Sequence, residues 1–434
     1  MAKLTLKVWT QPWLAIVLSF CLVCSVACRS EDSSPTPEET TRQLLERVRE
    51  LEAKVQQLEE REAAMASATE PLADVKTPPT PTLAPVAAPV PAPTAAPAPQ
   101  ESAVNEVAER LKLLYFGDVG YQTGHYYGPT STFEFGELNM FATARLTDHI
   151  SVLADVLLTS NPDNSVDIDM ERLLIKYRQS DYFTASIGRI HTAIGYYNTA
   201  FDRGDYFQTA TTRPTLFEFD DQGGFLPLQD LGIVLNGNLP SGKLGLRYVF
   251  EVTNGRDWGA NVEPAQNNTD MNNSKAVNFG LSMKPDKPHG LIVGFSIRHD
   301  YLSDVLALHV SELLPVVYAV YVTPKFEWLN EVAYITHKLP SGAAFHTTGF
   351  YSQVSRAFGH YRPYFRYDYV NTPVNDPIYD NPAVFPPVER VNGPTAGVRW
   401  DFTPYTAIKL QYTREDARGE TTTNGGNAQF DFTF

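Results

Sequence analysis

From Leu111 to Phe434 the chain alternates apolar and polar residues with a period of two, in runs of about nine to sixteen residues separated by turn or loop segments. The final run shows the rule. Ala428, Phe430, Phe432 and Phe434 fall on one face, and Gln429, Asp431 and Thr433 on the other. Ile408, Leu410 and Tyr412 alternate in the same way with Lys409, Gln411 and Thr413, as do Ala396, Val398, Trp400 and Phe402 with Gly397, Arg399 and Asp401. A soluble sandwich also alternates. Here, however, the apolar face recurs on nearly every run and is rich in aromatics near the run ends, while the opposite face is charged. That is the requirement of a closed barrel in lipid, where closure pairs every backbone group and water fills the interior. The pattern predicts an all-β, transmembrane antiparallel barrel over residues 108–434 with about sixteen strands, twelve or fourteen being the alternatives.

The connections alternate in length, as short turns and longer loops do at the two rims of such barrels. Short links fall near Thr147-Asp148, Gln179 to Asp181, Leu239 to Gly242, Thr323 to Lys325 and Thr403 to Tyr405. Longer segments fall at about 124–131, 159–165, 191–227, 255–274, 302–315, 372–390 and 418–425. The link Leu339 to Gly342 is short where parity asks for a long one, so either a loop is clipped there or the strand count is off nearby.

The first quarter of the chain differs. Lys3 and Lys7 precede an apolar run from about Trp13 to Val26 that ends in small residues, which predicts a signal peptide over 1–27. Cleavage after Ala27 leaves Cys28 first, and that cysteine is then either an ordinary mature terminus or a lipidation site. Leu44, Val48, Leu51, Val55 and Leu58 alternate spacings of four and three, a coiled-coil seam within 38–66 for either two or three helices, or a lone charged helix. Residues 67–107 are Pro- and Ala-rich, a semi-rigid spacer that extends at about 3 Å per residue.

Composition narrows the function. The net charge of -15 argues against nucleic acid as a partner, since phosphate neutralisation needs a basic face. All 3 cysteines precede residue 29, so the barrel region can hold no disulfide. Among the histidines, His149, His299 and His337 stand near no local Ser-His or metal-ligand spacing, so neither an enzyme nor a cofactor or metal is expected.

The segment after the fifth run, IHTAIGYYNTAFDRGDYFQTATTRPTLFEFDDQGGFLPLQD, is long and aromatic, which predicts a loop folded inward against the wall. Asp202, Asp205, Glu218, Asp220 and Asp221 are then candidates for the acidic side of a constriction, or else cap turns and pair with Arg203 and Arg213. Arg172, Arg247, Arg298, Arg362, Arg366, Arg399 and Lys409 occupy polar-face positions. They form a basic wall opposing the loop across the pore, or pair with wall carboxylates such as Asp167, Glu171, Glu251, Glu327 and Asp368.

The order of parts resembles the trimeric sixteen-stranded porins, above all the phosphate-selective porin family and relatives with an N-terminal coiled coil. Three features carry the likeness: the terminal aromatic Phe434, similar to the signal read by the outer-membrane insertion machinery; the long loop after the fifth strand; and Gly188-Arg189-Ile190-His191-Thr192-Ala193-Ile194-Gly195, similar to a Gly-x-x-x-Thr-x-x-Gly stretch, with Ala193 where that family often has Pro. The resemblance implies a homotrimer in outer-membrane lipid that passes small hydrophilic solutes or ions passively. The N-terminal coiled coil would then lie in the periplasm and could reach the cell wall as a tether. No Lys- or Arg-rich ladder runs along the loop, so phosphate selectivity is not implied.

Overall fold

The chain divides into two units, Met1–Pro93 and Thr94–Phe434. The computed structural model describes residues 110–124, 130–161, 164–201, 205–218, 224–258, 272–304, 309–380, 390–418 and 421–434, all in the second unit. The expected signal peptide, Cys28, the coiled coil and the spacer therefore lie outside the described residues, as do Asp202, Asp220, Asp221 and the side chain of Asp205.

The alternating runs fold into sixteen antiparallel strands. In chain order they are β1 (Leu111–Gly124), β2 (Thr132–Arg145), β3 (Ile150–Ser160), β4 (Val166–Ser180), β5 (Phe183–His191), β6 (Gln229–Asn238), β7 (Leu246–Thr253) and β8 (Ala276–Met283). There follow β9 (Leu291–Asp304), β10 (Val310–Val322), β11 (Phe326–Lys338), β12 (Ala344–Arg356), β13 (Tyr361–Asn371), β14 (Val391–Thr403), β15 (Thr406–Ala417) and β16 (Thr423–Thr433). Each strand pairs with its sequence neighbours, and β1 also pairs with β16 in a register that sets Tyr121 opposite Ala428. The sheet thus closes, and no edge is left to be satisfied by water. A further two-residue strand, Asp257–Trp258, runs parallel to Ser303–Asp304, the end of β9.

Seven connections at one rim are short and seven of the eight at the other rim, counting that between β11 and β12, match the longer segments read from the sequence. The β11–β12 link is a clipped loop within an intact strand count. One boundary moves: β9 and β10 continue through Leu302 and back from Val310, so most of the expected loop 302–315 is strand. Pro315, the last residue of that expected loop, lies inside β10 opposite Ile297.

Alternation sorts the side chains. Phe133, Phe135 and Ile168 are 81%, 76% and 70% exposed on the outside, whereas Glu331, Lys409 and Asp431 are fully buried on the inside. A stripe of the inner wall is nevertheless apolar: Val316 and Val320 of β10 and Leu329 and Ala333 of β11 are buried there. Those positions belong to a core built with Ile194, Tyr197, Leu216, Phe217 and Phe225 of the β5–β6 connection. A long aromatic loop needs apolar ground to dock on, and this stripe supplies it.

Candidate functional site

The β5–β6 connection, residues 192–228, enters the lumen and is held by the wall at many points. Its root is closed by Thr192, which donates from N to Leu228 O at 2.9 Å and from Oγ1 to Pro227 O at 2.5 Å. Beyond the root, Ala193 N donates to Glu251 Oε1 of β7 at 2.9 Å and Gly195 N to Ser296 Oγ of β9 at 3.1 Å. Glu331 of β11 then accepts from the backbone N–H groups of Tyr196 at 2.5 Å and Tyr197 at 2.8 Å, and from Tyr351 Oη at 2.7 Å. This carboxylate anchors the start of a single helical turn, α1 (Tyr197–Ala200). Gly195 has φ +69, a left-handed conformation, and a Cβ there would lie 2.3 Å from Glu331 Oε2.

Farther along, the loop reaches the short-turn end and returns. Tyr206 Oη donates to Pro404 O at 2.7 Å, and Phe207 packs against Phe116 of β1 with ring centroids 5.2 Å apart. Thr209 donates to Glu327 of β11 at 3.1 Å, and Thr211 N to Gln411 Oε1 of β15 at 3.0 Å. Arg213 is spent inside the loop: Nε donates to Phe217 O at 2.5 Å, Nη1 donates to Phe201 O at 3.2 Å, and the guanidinium lies over the Tyr197 ring. Burial, reinforced by Glu327 and Glu331, pushes the Tyr196 hydroxyl up to about 12, so its ring stays neutral.

Two of the basic wall residues, Arg366 and Arg399, lie directly beneath this loop. Arg366 of β13 pairs with Asp368 at 2.6 Å and donates to Thr212 O at 2.6 Å. Arg399 of β14 pairs with Asp401 at 2.8 Å and donates to the carbonyls of Tyr206 and Gln208. Arg298 of β9 bridges Asp230 at 2.8 Å and Asp300 at 3.1 Å, and Lys409 of β15 pairs with Asp431 at 3.1 Å. Arg172 of β4 pairs with Asp155 at 2.6 Å. These five are buried and neutralised. Arg247 of β7 is exposed, and Arg362 of β13 donates to Ser355 Oγ and Pro324 O, with no carboxylate partner for either among the described residues. Glu251 and Glu327, expected to pair with arginines, instead hold the loop.

Glu218, one candidate for the acidic constriction, is half-buried in the loop. Loss of solvent, then the neighbouring Asp368 carboxylate, pushes its carboxyl up to about 8, so it carries little charge at neutral pH.

A second anchorage ties three connections near the long-loop rim. Arg256, after β7, donates to Phe225 O at 2.7 Å and to Glu312 Oε1 of β10 at 2.6 Å. His337 of β11 lies 3.0 Å from Glu312 and 2.9 Å from Asp376, and Tyr379 Oη donates to Phe225 O at 3.0 Å. Sequence reading missed Glu331, Arg256, Glu312 and Asp376. Glu331 and Glu312 stood on the polar face of their strands, but only the fold shows that the loop covers them. His299 lies 3.2 Å from Ser311 Oγ, and His149 Nδ1 lies 2.9 Å from Arg178 O. Among the described residues no cluster of His, Cys, Asp and Glu is arranged to hold a metal.

Neither a protein-family model nor a curated protein matches the sequence. Solved structures do match by shape. They include OmpF of Salmonella typhi in complex with daunomycin, at 11% identity over 75% of this chain and 97% of that one, with a TM-score of 0.52. An anion-selective porin from Comamonas acidovorans matches at 10% identity over 75% and 99%, with a TM-score of 0.51. OmpT, an outer membrane protein of Vibrio cholerae, matches at 8% over 75% and 97%, with a TM-score of 0.50. At such identities the likeness is one of fold, and the fold is the sixteen-stranded porin barrel.

Proposed function

We propose that the chain is a porin of the bacterial outer membrane that lets small hydrophilic solutes or ions diffuse passively through a lumen narrowed by residues 192–228. The observation that carries this reading is a closed barrel with a lipid-compatible exterior and a charged interior, crossed by a loop anchored on opposite parts of the wall. Diffusion through a water-filled pore needs no catalytic group, metal or cofactor.

Four parts of the reading go further. The barrel works as a homotrimer; Phe434, 69% exposed and stacked on Tyr115 with ring centroids 5.0 Å apart, is the insertion signal. The acidic residues Asp202, Asp205, Asp220 and Asp221 contribute charge to the narrowed region, with Glu218 joining them only in alkali. The N-terminal heptads and spacer extend into the periplasm, where they could hold the barrel to the cell wall.

Reconstitution of the purified protein in planar bilayers tests the reading. Stepwise openings in groups of three are expected. A membrane-inserted protein that never conducts would leave an anchoring role and remove the transport one.

A further inference from the structure

Five of the seven basic wall residues are neutralised, so the field in the lumen is set by the accessible charges that remain. Those that face inward from the wall strands sort by height. At the long-loop end, Glu134 of β2 and Asp167 and Asp169 of β4 lie between outward-facing Phe133 and Phe135, and Val166, Ile168 and Met170, so all three carboxylates turn inward. Glu134 is bonded to the Gln122 amide and Asp167 to Asn161 Nδ2 at 2.8 Å, both neutral partners. None of the three makes an ion pair among the described residues, and none is buried.

At the short-turn end the sign reverses. Lys112 of β1 and Arg145 of β2 face inward on the same side as Phe116 and Phe141, and Arg247 and Arg362 on the same side as Glu251 and Arg366. These four cations have no carboxylate partner among the described residues and remain at least partly exposed. Buried carboxylates at this level, Glu327 and Glu331, are covered by the docked loop, and Asp401 and Asp431 are paired.

We infer that the lumen is bipolar along its axis, anionic at the long-loop mouth and cationic at the short-turn mouth, and that the pore therefore rectifies ionic current. This deepens the proposed diffusion function and rests on it. Glu134 and Arg145 stand at opposite ends of β2, separated by about 36 Å of strand at about 3.3 Å per residue. That exceeds the Debye length of about 10 Å at about 0.1 M salt, so each zone fills with its own counterion. When the long-loop side is positive, cations enter through the anionic zone and anions through the cationic one, and carriers accumulate in between. With the opposite polarity both are drawn out and conductance falls.

The test is single-channel current in about 0.1 M and about 1 M KCl on the full chain, with two neutralised variants, Glu134→Gln/Asp167→Asn/Asp169→Asn and Lys112→Gln/Arg145→Gln/Arg247→Gln/Arg362→Gln. Both variants are first checked for barrel assembly by strand circular dichroism and heat-modifiable gel mobility. The native pore should pass unequal currents at opposite voltages in dilute salt and equal currents in concentrated salt, where the Debye length is about 3 Å. The acid-neutralised pore should lose the asymmetry and shift its K+ to Cl- permeability ratio down by about two-fold or more; the base-neutralised pore should lose it and shift the ratio up. Open channels with equal currents in dilute salt, or two variants shifting selectivity in the same direction, would overturn the inference. Absence of channels altogether would instead overturn the proposed diffusion function. If one variant does not assemble, the salt dependence of the native pore and the other variant still decide.

Discussion

Glu331 gathers three donors at one carboxylate, and its loss should be felt at the loop before it is felt in the barrel. Replacing it by Gln puts an amide NH2, a donor, in place of one of the two oxygens that accept from Tyr196 N and Tyr197 N. The expected cost is about 1–3 kcal/mol of loop docking, seen as amide exchange at Tyr196 and Tyr197 faster by about ten-fold or more. Unchanged exchange would show that the apolar contacts alone hold the loop.

Glu218 makes a pH prediction at the same scale. Its carboxyl is raised from 4.5 to about 8 in the folded chain, so the docking it contributes is complete below 4.5 and is lost as pH rises through about 8. Reversal potentials should move toward cation preference, and open-channel noise should grow, over that upper interval. Glu218→Gln should flatten both trends; a variant that titrates like the native protein would assign them to another group.

The loop is the element on which function turns, and Gly195 is its hinge into the lumen. With φ +69 and a Cβ position 2.7 Å from the Phe217 ring, Gly195→Ala strains the backbone and pushes on the loop core at once, at a cost of about 1–3 kcal/mol. The strands do not depend on that residue. Larger, noisier conductance with unaltered strand circular dichroism is therefore expected, and a variant that conducts like the native pore would mean that the loop does not limit the current. That a loop enters here was legible from its length and its rings, because eight aromatic side chains cannot all remain in water. Where it docks was not. The polar groups that receive it, from Glu251 of β7 to Gln411 of β15, are distant in sequence, and the carboxylates among them look in the sequence like any other polar-face residue.

For the whole molecule, closure between β1 and β16 gives every strand two neighbours from within the barrel. Deleting residues 38–100 should leave single-channel conductance unchanged while loosening the envelope of cells that depend on the proposed tether. Openings that lose their grouping in threes would instead give the heptads a part in trimer assembly. An intact envelope would leave the tether without support.

The amino-acid order by itself settled the barrel, its strand number to within a few, the alternation of its rims and the inward loop, because each rests on periodicity and on the burial needs of neighbouring residues. Whether the wall arginines were free was left to the tertiary structure. Arg298, Arg366, Arg399 and Lys409 read alike in the sequence as lumen cations, yet each is buried against a carboxylate. Charge acts through distance and solvent exposure, and both depend on where strands far apart in the chain come together.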